Sequence, residues 1–193
     1  SDAGMPCISD PGEDLVRLCA GAEIPVQVIP GPSAAVSALA VSGLSTSRFT
    51  FEGFLTTNKK GRIDHLNSVK EETKTMIFYE APHKLLRTLK DMSSVFGSER
   101  KISLCRELTK LHEEVIRTTL GEAIAYYRTC ENIKGEFVLV IEGYTPQERE
   151  YTLEDAVALA KEWMAKGEKA TNAAKAAAKE TNFSKADIYR HLI

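Results

Sequence analysis

The chain has 193 residues, 43% of them hydrophobic and 27% charged, with a formal net charge of -2 and an isoelectric point near 6.1. That balance suits one large or two small globular domains and excludes a global field that would draw nucleic acid or an anionic membrane, so a polyanion must be met by local patches. Cys7, Cys19, Cys105 and Cys130 form no C-x-x-C pair and do not cluster with His65, His83, His112 or His191, which predicts reduced thiols and no metal. No apolar run approaches the roughly 20 residues that span a bilayer, and no signal peptide is visible, so a cytoplasmic protein without a membrane partner is expected.

In chain order, "SDAGMPCISDPG" reads as a loop in which backbone shape outweighs packing. Leu15, Val16, Leu18 and Cys19 have helical spacing with Gly21 as a stop, and a short strand is predicted from Val26 to Ile29. In "PGPSA" the turn leads to Ser33, a candidate cap for an Ala- and Val-rich helix ending near Gly43. This first stretch resembles the later part of an open α/β sheet, and a single strand needs partners from elsewhere. "RFTFEGFL" alternates as a strand, and "TTNKKGR" reads as a polar, basic loop. Ile63, Leu66 and Val69 mark an amphipathic helix, "TKTMIFYE" a strand, "APHKLLRTLKDMSSVFG" a helix with Pro82 in its first turn, and "RKISLCREL" another strand. "EEVIRTTL" is a candidate strand, "GEAIAYYRTC" a helix, and "GEFVLVIEG" a buried strand stopped at Gly143. After "YTPQERE" the composition shifts to three Ala- and Lys-bearing helical segments, the last opened by Ser184 and Asp187. The expected fold class is therefore α/β, with residues 1–46 and 47–144 as two α/β portions and 145–193 as a helical extension.

Ligands in open α/β sheets sit beyond the carboxyl ends of strands. Three strands here end in polar groups: at Glu80, followed by His83; at Arg106 and Glu107, followed by Lys110; and at the "PGPSA" turn, whose helix N-terminus offers backbone N–H groups. Each has a plainer reading. Glu80 suits a helix start, Arg106 and Glu107 suit an edge ion pair, His83 suits a surface position, and Lys59, Lys60 and Arg62 suit a solvated loop. No G-x-G-x-x-G or Gly-Lys-Ser/Thr phosphate loop is present, so dehydrogenase, kinase and P-loop readings lack support.

Six segments in order, "SDAGMPCISDPG", "VIPGPSA", "FEGFL", "IFYEAPHK", "CRELTKLHEE" and "KGEFVLVIEG", resemble the ribosomal small-subunit RNA methyltransferase I group of the tetrapyrrole methylase superfamily. The resemblance implies a tetrapyrrole-methylase-like fold of two α/β domains with mixed sheets, the first shortened here, plus the helical extension. It implies S-adenosylmethionine as cofactor, small-subunit ribosomal RNA as partner, a cytidine 2′-hydroxyl as methyl acceptor and a homodimer. On this resemblance Ser1, Asp2, Ala3, Gly4, Pro32, Ser33, Ala34, Tyr79, Gly135, Glu136 and Phe137 line the cofactor cleft. Glu80, His83 and Glu107 become candidates for accepting the hydroxyl proton, Glu80 foremost, and Lys59, Lys60, Arg62, Arg106 and Lys110 for holding RNA phosphates. Met5 stands where the group commonly has Thr. Because the group's opening strands and Gly/Pro loop precede "SDAG", the chain is expected to be inactive alone. A tetrapyrrole methylase of the same superfamily and a non-catalytic RNA-binding or dimerisation module are the alternatives.

Overall fold

A computed structural model describes residues 4–146 and 151–192. The chain divides into two compact units, Ser1–Thr145 and Pro146–Ile193. The first contains the helices α1 (Glu13–Gly21) and α2 (Ala34–Val41), strand β1 (Phe49–Phe54), α3 (Lys59–Ser68), β2 (Thr75–Glu80), α4 (Leu85–Phe96), β3 (Lys101–Arg106), β4 (Glu114–Thr119), α5 (Leu120–Arg128) and β5 (Phe137–Ile141). A single 3-10 turn, Pro82–Lys84, leads from β2 into α4.

The strands form one mixed sheet in the order β1-β2-β5-β3-β4. β1 runs parallel to β2, whereas β5 is antiparallel to both β2 and β3, and β4 is antiparallel to β3. Because side chains alternate along a strand, the sheet buries two faces. Met76, Phe78, Ile102, Leu104, Leu139 and Ile141 pack with Leu85, Leu89 and Met92 of α4 and Leu120 and Ala123 of α5. Ile77, Cys105, Val138 and Val140 pack with Ala35, Ala38 and Leu39 of α2. All five residues of β5 are buried, as expected of a central strand covered on both faces.

Two local expectations are corrected. Residues 24–30 form no strand, and Val26, Val28 and Ile29 are 53%, 68% and 87% exposed. A strand exists only with a partner for its backbone groups, and none lies beside this segment among the described residues. The basic run at 59–62 is the first turn of α3 rather than a loop: the Asn58 side chain accepts from the Gly61 N–H at 3.1 Å, a cap that outweighs the run's polarity. Ser33 does stand at the N-cap position of α2, although its side chain makes no cap bond to that helix.

Arg62 is thereby turned inward, its side chain only 3% exposed, with Nη2 and Nε each 2.7 Å from Oδ2 of Asp91 on α4. Its Nη1 donates to the Thr56 and Thr57 carbonyls at 3.2 and 3.0 Å. Arg62 is therefore a structural cation and not an RNA contact.

The second unit is the helical α6 (Leu153–Ala165), α7 (Ala170–Glu180) and α8 (Lys185–Arg190). Ala156, Ala160, Ala173, Ala174, Ala177 and Ile188 form its buried centre. Thr152 and Asp155 make a reciprocal capping box on α6, and the Ser184 hydroxyl accepts from the Asp187 N–H on α8.

Asp91→Ala would leave the Arg62 guanidinium buried without its counter-charge, a loss worth about 3 kcal/mol or more. Urea unfolding should show that drop, while Lys59→Ala on the same helix should stay within about 0.5 kcal/mol of the parent. Equal small effects would remove the pair from its structural role.

Candidate active site

One edge of the sheet collects the residues that matter. Antiparallel pairing places the start of β5 beside the ends of β2 and β3, with Phe137 opposite both Glu80 and Arg106. Parallel pairing of β1 with β2 brings Phe54 opposite Tyr79 at the same edge. Phe51 and Phe54 flank the Tyr79 ring edgewise, with centroids 5.0 and 5.4 Å away.

The residues from 4 to 12 and the turn before α2 close over this edge. The Met5 N–H donates to the Pro32 carbonyl at 2.9 Å, and the Gly31 N–H approaches the Met5 sulfur at 3.2 Å. Gly4 has φ +80°, and a Cβ placed there would lie 2.5 Å from the Pro32 oxygen, so both conformation and contact require glycine. Cys7 and Ser9 also hold positive φ values, 70° and 54°, a local strain that clusters at ligand sites.

Tyr79 joins the two parts. Its hydroxyl oxygen accepts from the Ala35 N–H at 3.1 Å and also bonds the Ser33 side chain, while burial raises its pKa above the ordinary phenol value. An N–H at the start of α2 that the sequence left open for a ligand is thus already satisfied within the protein.

Between these parts lies a cavity of about 580 Å³, lined by Met5, Ile8, Ser9, Asp10, Pro32, Ser33, Ala34, Phe54, Tyr79, Ala81, Pro82, His83, Glu136, Phe137 and Val138. The size and the mixture of apolar walls with a few polar groups suit a small-molecule ligand. Of the residues expected from sequence, Pro32, Ser33, Ala34, Tyr79, Glu136, Phe137 and His83 line it. Gly4 lines a smaller adjoining cavity of about 160 Å³ instead. Ser1, Asp2 and Ala3 lie outside the described residues. Met5, Ile8, Ser9, Asp10, Phe54, Ala81, Pro82 and Val138 complete the lining without having been nominated for the site, although each adjoins or lies within a segment that was.

The carboxylates are placed differently from expectation. Glu80 shares the face of Met76 and Phe78 by alternation, is 4% exposed, and accepts from the Thr88 hydroxyl of α4 and the Ala81 N–H. It anchors the turn into α4 and does not line the cavity. Glu107, at φ +49°, also stands outside the lining. Its Oε1 accepts from the Glu136 N–H at 2.8 Å and from Lys110 Nζ at 3.0 Å, while its own N–H donates to the Glu136 carbonyl at 3.0 Å. Gly135 is tied to the same carboxylate: a Cβ there would lie 2.5 Å from Glu107 Cγ. Glu107 thus holds the Glu136–Phe137 wall in place, which makes it a positioning residue.

The cations are similarly engaged. Arg106 pairs with Glu114 at 3.1 Å, and Lys110 bridges Glu107 and Glu136 at 3.0 and 3.1 Å. Both therefore have carboxylate partners that a phosphate would have to displace. Lys59 and Lys60 are exposed in the first turn of α3.

Residues 1–124 match the family described as Tetrapyrrole (Corrin/Porphyrin) Methylases. The chain is 47% identical over 194 aligned positions to ribosomal RNA small subunit methyltransferase I of Synechocystis sp., covering 98% of the chain and 68% of that relative. It is 47% identical to the Escherichia coli protein of that name, over 78% of the chain and 53% of the relative. For the Halalkalibacterium halodurans protein the identity is 45%, over 98% and 66%. The chain therefore spans between about half and two thirds of these relatives. Among solved structures, the methyltransferase CobJ superposes with a TM-score of 0.54 at 18% identity, covering 72% of this chain and 62% of that one. Uroporphyrin-III-C-methyltransferase from Thermus thermophilus superposes with a TM-score of 0.52 at 18% identity, covering 72% and 60%. At this identity both show a shared fold alone.

The Glu136 N–H and Lys110 hold the Glu107 carboxyl below its ordinary value of 4.5. Its stabilising effect is complete above that value, where the unfolded carboxyl is also ionised, and is lost as pH falls through the lowered folded value. Carboxyl-carbon NMR should place the Glu107 midpoint below 4.5. Glu107→Gln should speed hydrogen exchange at the Glu136 amide. An ordinary midpoint with unchanged exchange would contradict the positioning role.

Proposed function

Because the chain belongs to the tetrapyrrole (corrin/porphyrin) methylase family, in the ribosomal RNA small subunit methyltransferase I group, we propose that its protein is an S-adenosylmethionine-dependent methyltransferase. In this reading it methylates the 2′-hydroxyl of a cytidine in small-subunit ribosomal RNA. The observation that carries the proposal is the cavity at the sheet edge, where the N-terminal loop, the turn before α2 and the ends of β1, β2 and β5 meet.

The lining suits this cofactor by the chemistry of its groups. Met5, Ile8, Pro32, Phe54 and Val138 offer apolar surface to a base, while Ser9, Ser33 and Tyr79 offer hydroxyls to ribose or amino-acid groups. Glu136 brings a carboxylate to the rim, favourable to a cationic ligand. Gly4 lets the two loop backbones come together beside it. The cofactor supplies an activated methyl whose leaving group is a neutral thioether, so no general acid is needed.

The protein's tasks are then to orient the attacking hydroxyl and receive its proton. His83 is the titratable residue, of the three nominated for that role, that lines the cavity. It is exposed on the 3-10 turn between β2 and α4, so its imidazole can reach a substrate entering from solvent. Glu80 and Glu107 act at one remove: Glu80 fixes the turn that carries His83, and Glu107 fixes the opposite wall. Lys59 and Lys60 follow β1 closely and make no ion pair among the described residues, which leaves their ammonium groups for backbone phosphates. A homodimer acting on ribosomal RNA in the cytoplasm completes the proposal; among the described residues no helix is long and apolar enough to cross a membrane.

In the complete protein, His83→Ala should lower methyl incorporation into small ribosomal subunits by about 10²- to 10⁴-fold, with S-adenosylmethionine affinity by calorimetry nearly unchanged. Undiminished transfer would remove His83 from the chemistry. Methylation of a tetrapyrrole but not of ribosomal subunits would replace the RNA reading with the tetrapyrrole one.

A further inference from the structure

The helical unit carries a surface that its own folding leaves unused. Its centre is built mainly from alanines, so α6 and α7 pack closely through small side chains, and the bulky Trp163 sits in the last turn of α6, near the connection to α7. Trp163 packs against that centre and is still partly exposed. It forms one side of a groove of about 340 Å³ whose other side is α7, with Asn172, Lys175 and Lys179.

The charges around the indole are uneven. Lys175 and Lys179 stand one helical turn apart, both exposed, on the face of α7 that borders the groove. Lys166 places Nζ 5.1 Å from the centroid of the Trp163 ring. None of the three makes an ion pair among the described residues, although other lysines of the chain do. The carboxylate lining the groove is Glu168, which accepts from the Asn172 side-chain amide at 3.2 Å. The groove thus presents one aromatic surface, the ammonium groups of Lys175 and Lys179 without an ion-pair partner among the described residues, and one carboxylate already bonded, with Lys166 at its margin held over the indole.

We infer that this groove is an auxiliary binding site for unpaired RNA, in which a base stacks on Trp163 while Lys175, Lys179 and Lys166 engage the adjoining phosphates. A stacking platform beside a line of cations is the arrangement that recognises single strands without reading sequence, because every base has a π face. The cation already over the indole marks its face as electrostatically receptive, and Lys166 is free to move to a phosphate as a base takes its place. Few base-edge donors are present beyond Asn172, so binding is sequence-tolerant. An acidic peptide would satisfy the lysines but leave the indole without a planar partner. The inference takes its macromolecule from the function proposed above, while the groove itself is separate from the cavity of the other unit.

Trp163 is the chain's sole tryptophan, so its fluorescence reports this groove alone. Titrating the full chain with a short unpaired RNA oligonucleotide should quench that fluorescence saturably, and more strongly than a duplex of equal length. Lys175→Ala with Lys179→Ala should weaken the quench and flatten its salt dependence, lowering the log–log slope by about 1.4, the value for two single-strand phosphate contacts. Alanine favours helix, so the double variant should keep its circular dichroism. No quenching, or an unchanged slope in the folded double variant, would overturn the site. Equal quenching by inorganic polyphosphate or by anionic vesicles would also overturn it, as the mark of a generic anion surface. S-adenosylmethionine binding and methyl transfer by the complete protein alongside a failed quench would defeat this groove alone. No methyl transfer to ribosomal subunits by the complete protein, with the quench intact, would defeat the proposed enzyme function instead.

Discussion

The pairing of Phe137 with both Glu80 and Arg106 is the constraint on which the site depends. β5 enters the sheet between β2 and β3 and runs against both, so its first residue meets their last ones. Since β1 is parallel to β2 and β4 antiparallel to β3, Phe54, Tyr79, Arg106, Glu114 and Phe137 all gather at one edge. Residues that are far apart in the chain become neighbours through backbone hydrogen bonding alone. Shifting β5 by one residue would exchange its two faces and bury the wrong side chains, which ties the position of this edge to the whole hydrophobic core.

Charge at that edge is largely spent on holding it together. Glu80 binds the turn into α4, Arg106 meets Glu114, and Glu107 joins Lys110 to the Glu136 backbone. Low exposure decides the first case: a carboxylate that is 4% exposed needs hydrogen-bond partners of its own. The groups that line the cavity are hydroxyls, an imidazole, the Asp10 and Glu136 side chains and apolar walls. That division suits the proposed methyl transfer, in which orientation matters more than strong acid catalysis because the departing thioether is neutral.

Much of this arrangement was legible in the sequence, for identifiable reasons. The apolar runs "MIFYE", "ISLCR" and "FVLVI" are strands as they read, the last of them fully buried, and the Ala- and Lys-bearing segments beyond Thr152 are helices. The rule that ligands lie beyond strand ends led to the right edge. It did not separate residues that face the cavity from those that face the helices. For Glu80 the missing step was itself in the sequence: alternation from Met76 and Phe78 sends it toward α4, while Tyr79 points the other way. Arg62 was harder, since its inward turn depends on Asn58 starting a helix and on Asp91 arriving from α4. The segment at Val26–Ile29 has a strand's residues without a strand's partner, and pattern alone does not report whether a partner exists.

Tyr79 ties α2 to the sheet. α2 rests on the sheet through the apolar side chains of Ala35, Ala38 and Leu39, the two alanines allowing close approach, and such contacts supply little directional information. Direction comes from polar contacts at its two ends: the Ala35 N–H bonds the Tyr79 hydroxyl, and the Val41 carbonyl accepts from Arg117 on β4. Between them the Cys105 thiol of β3 approaches the Ala38 carbonyl. The helix is therefore pinned to β2, β3 and β4, and the turn before it inherits that position. Because the Pro32 carbonyl in turn receives the Met5 N–H, the loop above the cavity is located by a chain of contacts that begins at a single phenol. The cavity is thus one side of a seam between two chain segments, and its shape follows from the bond that closes the seam.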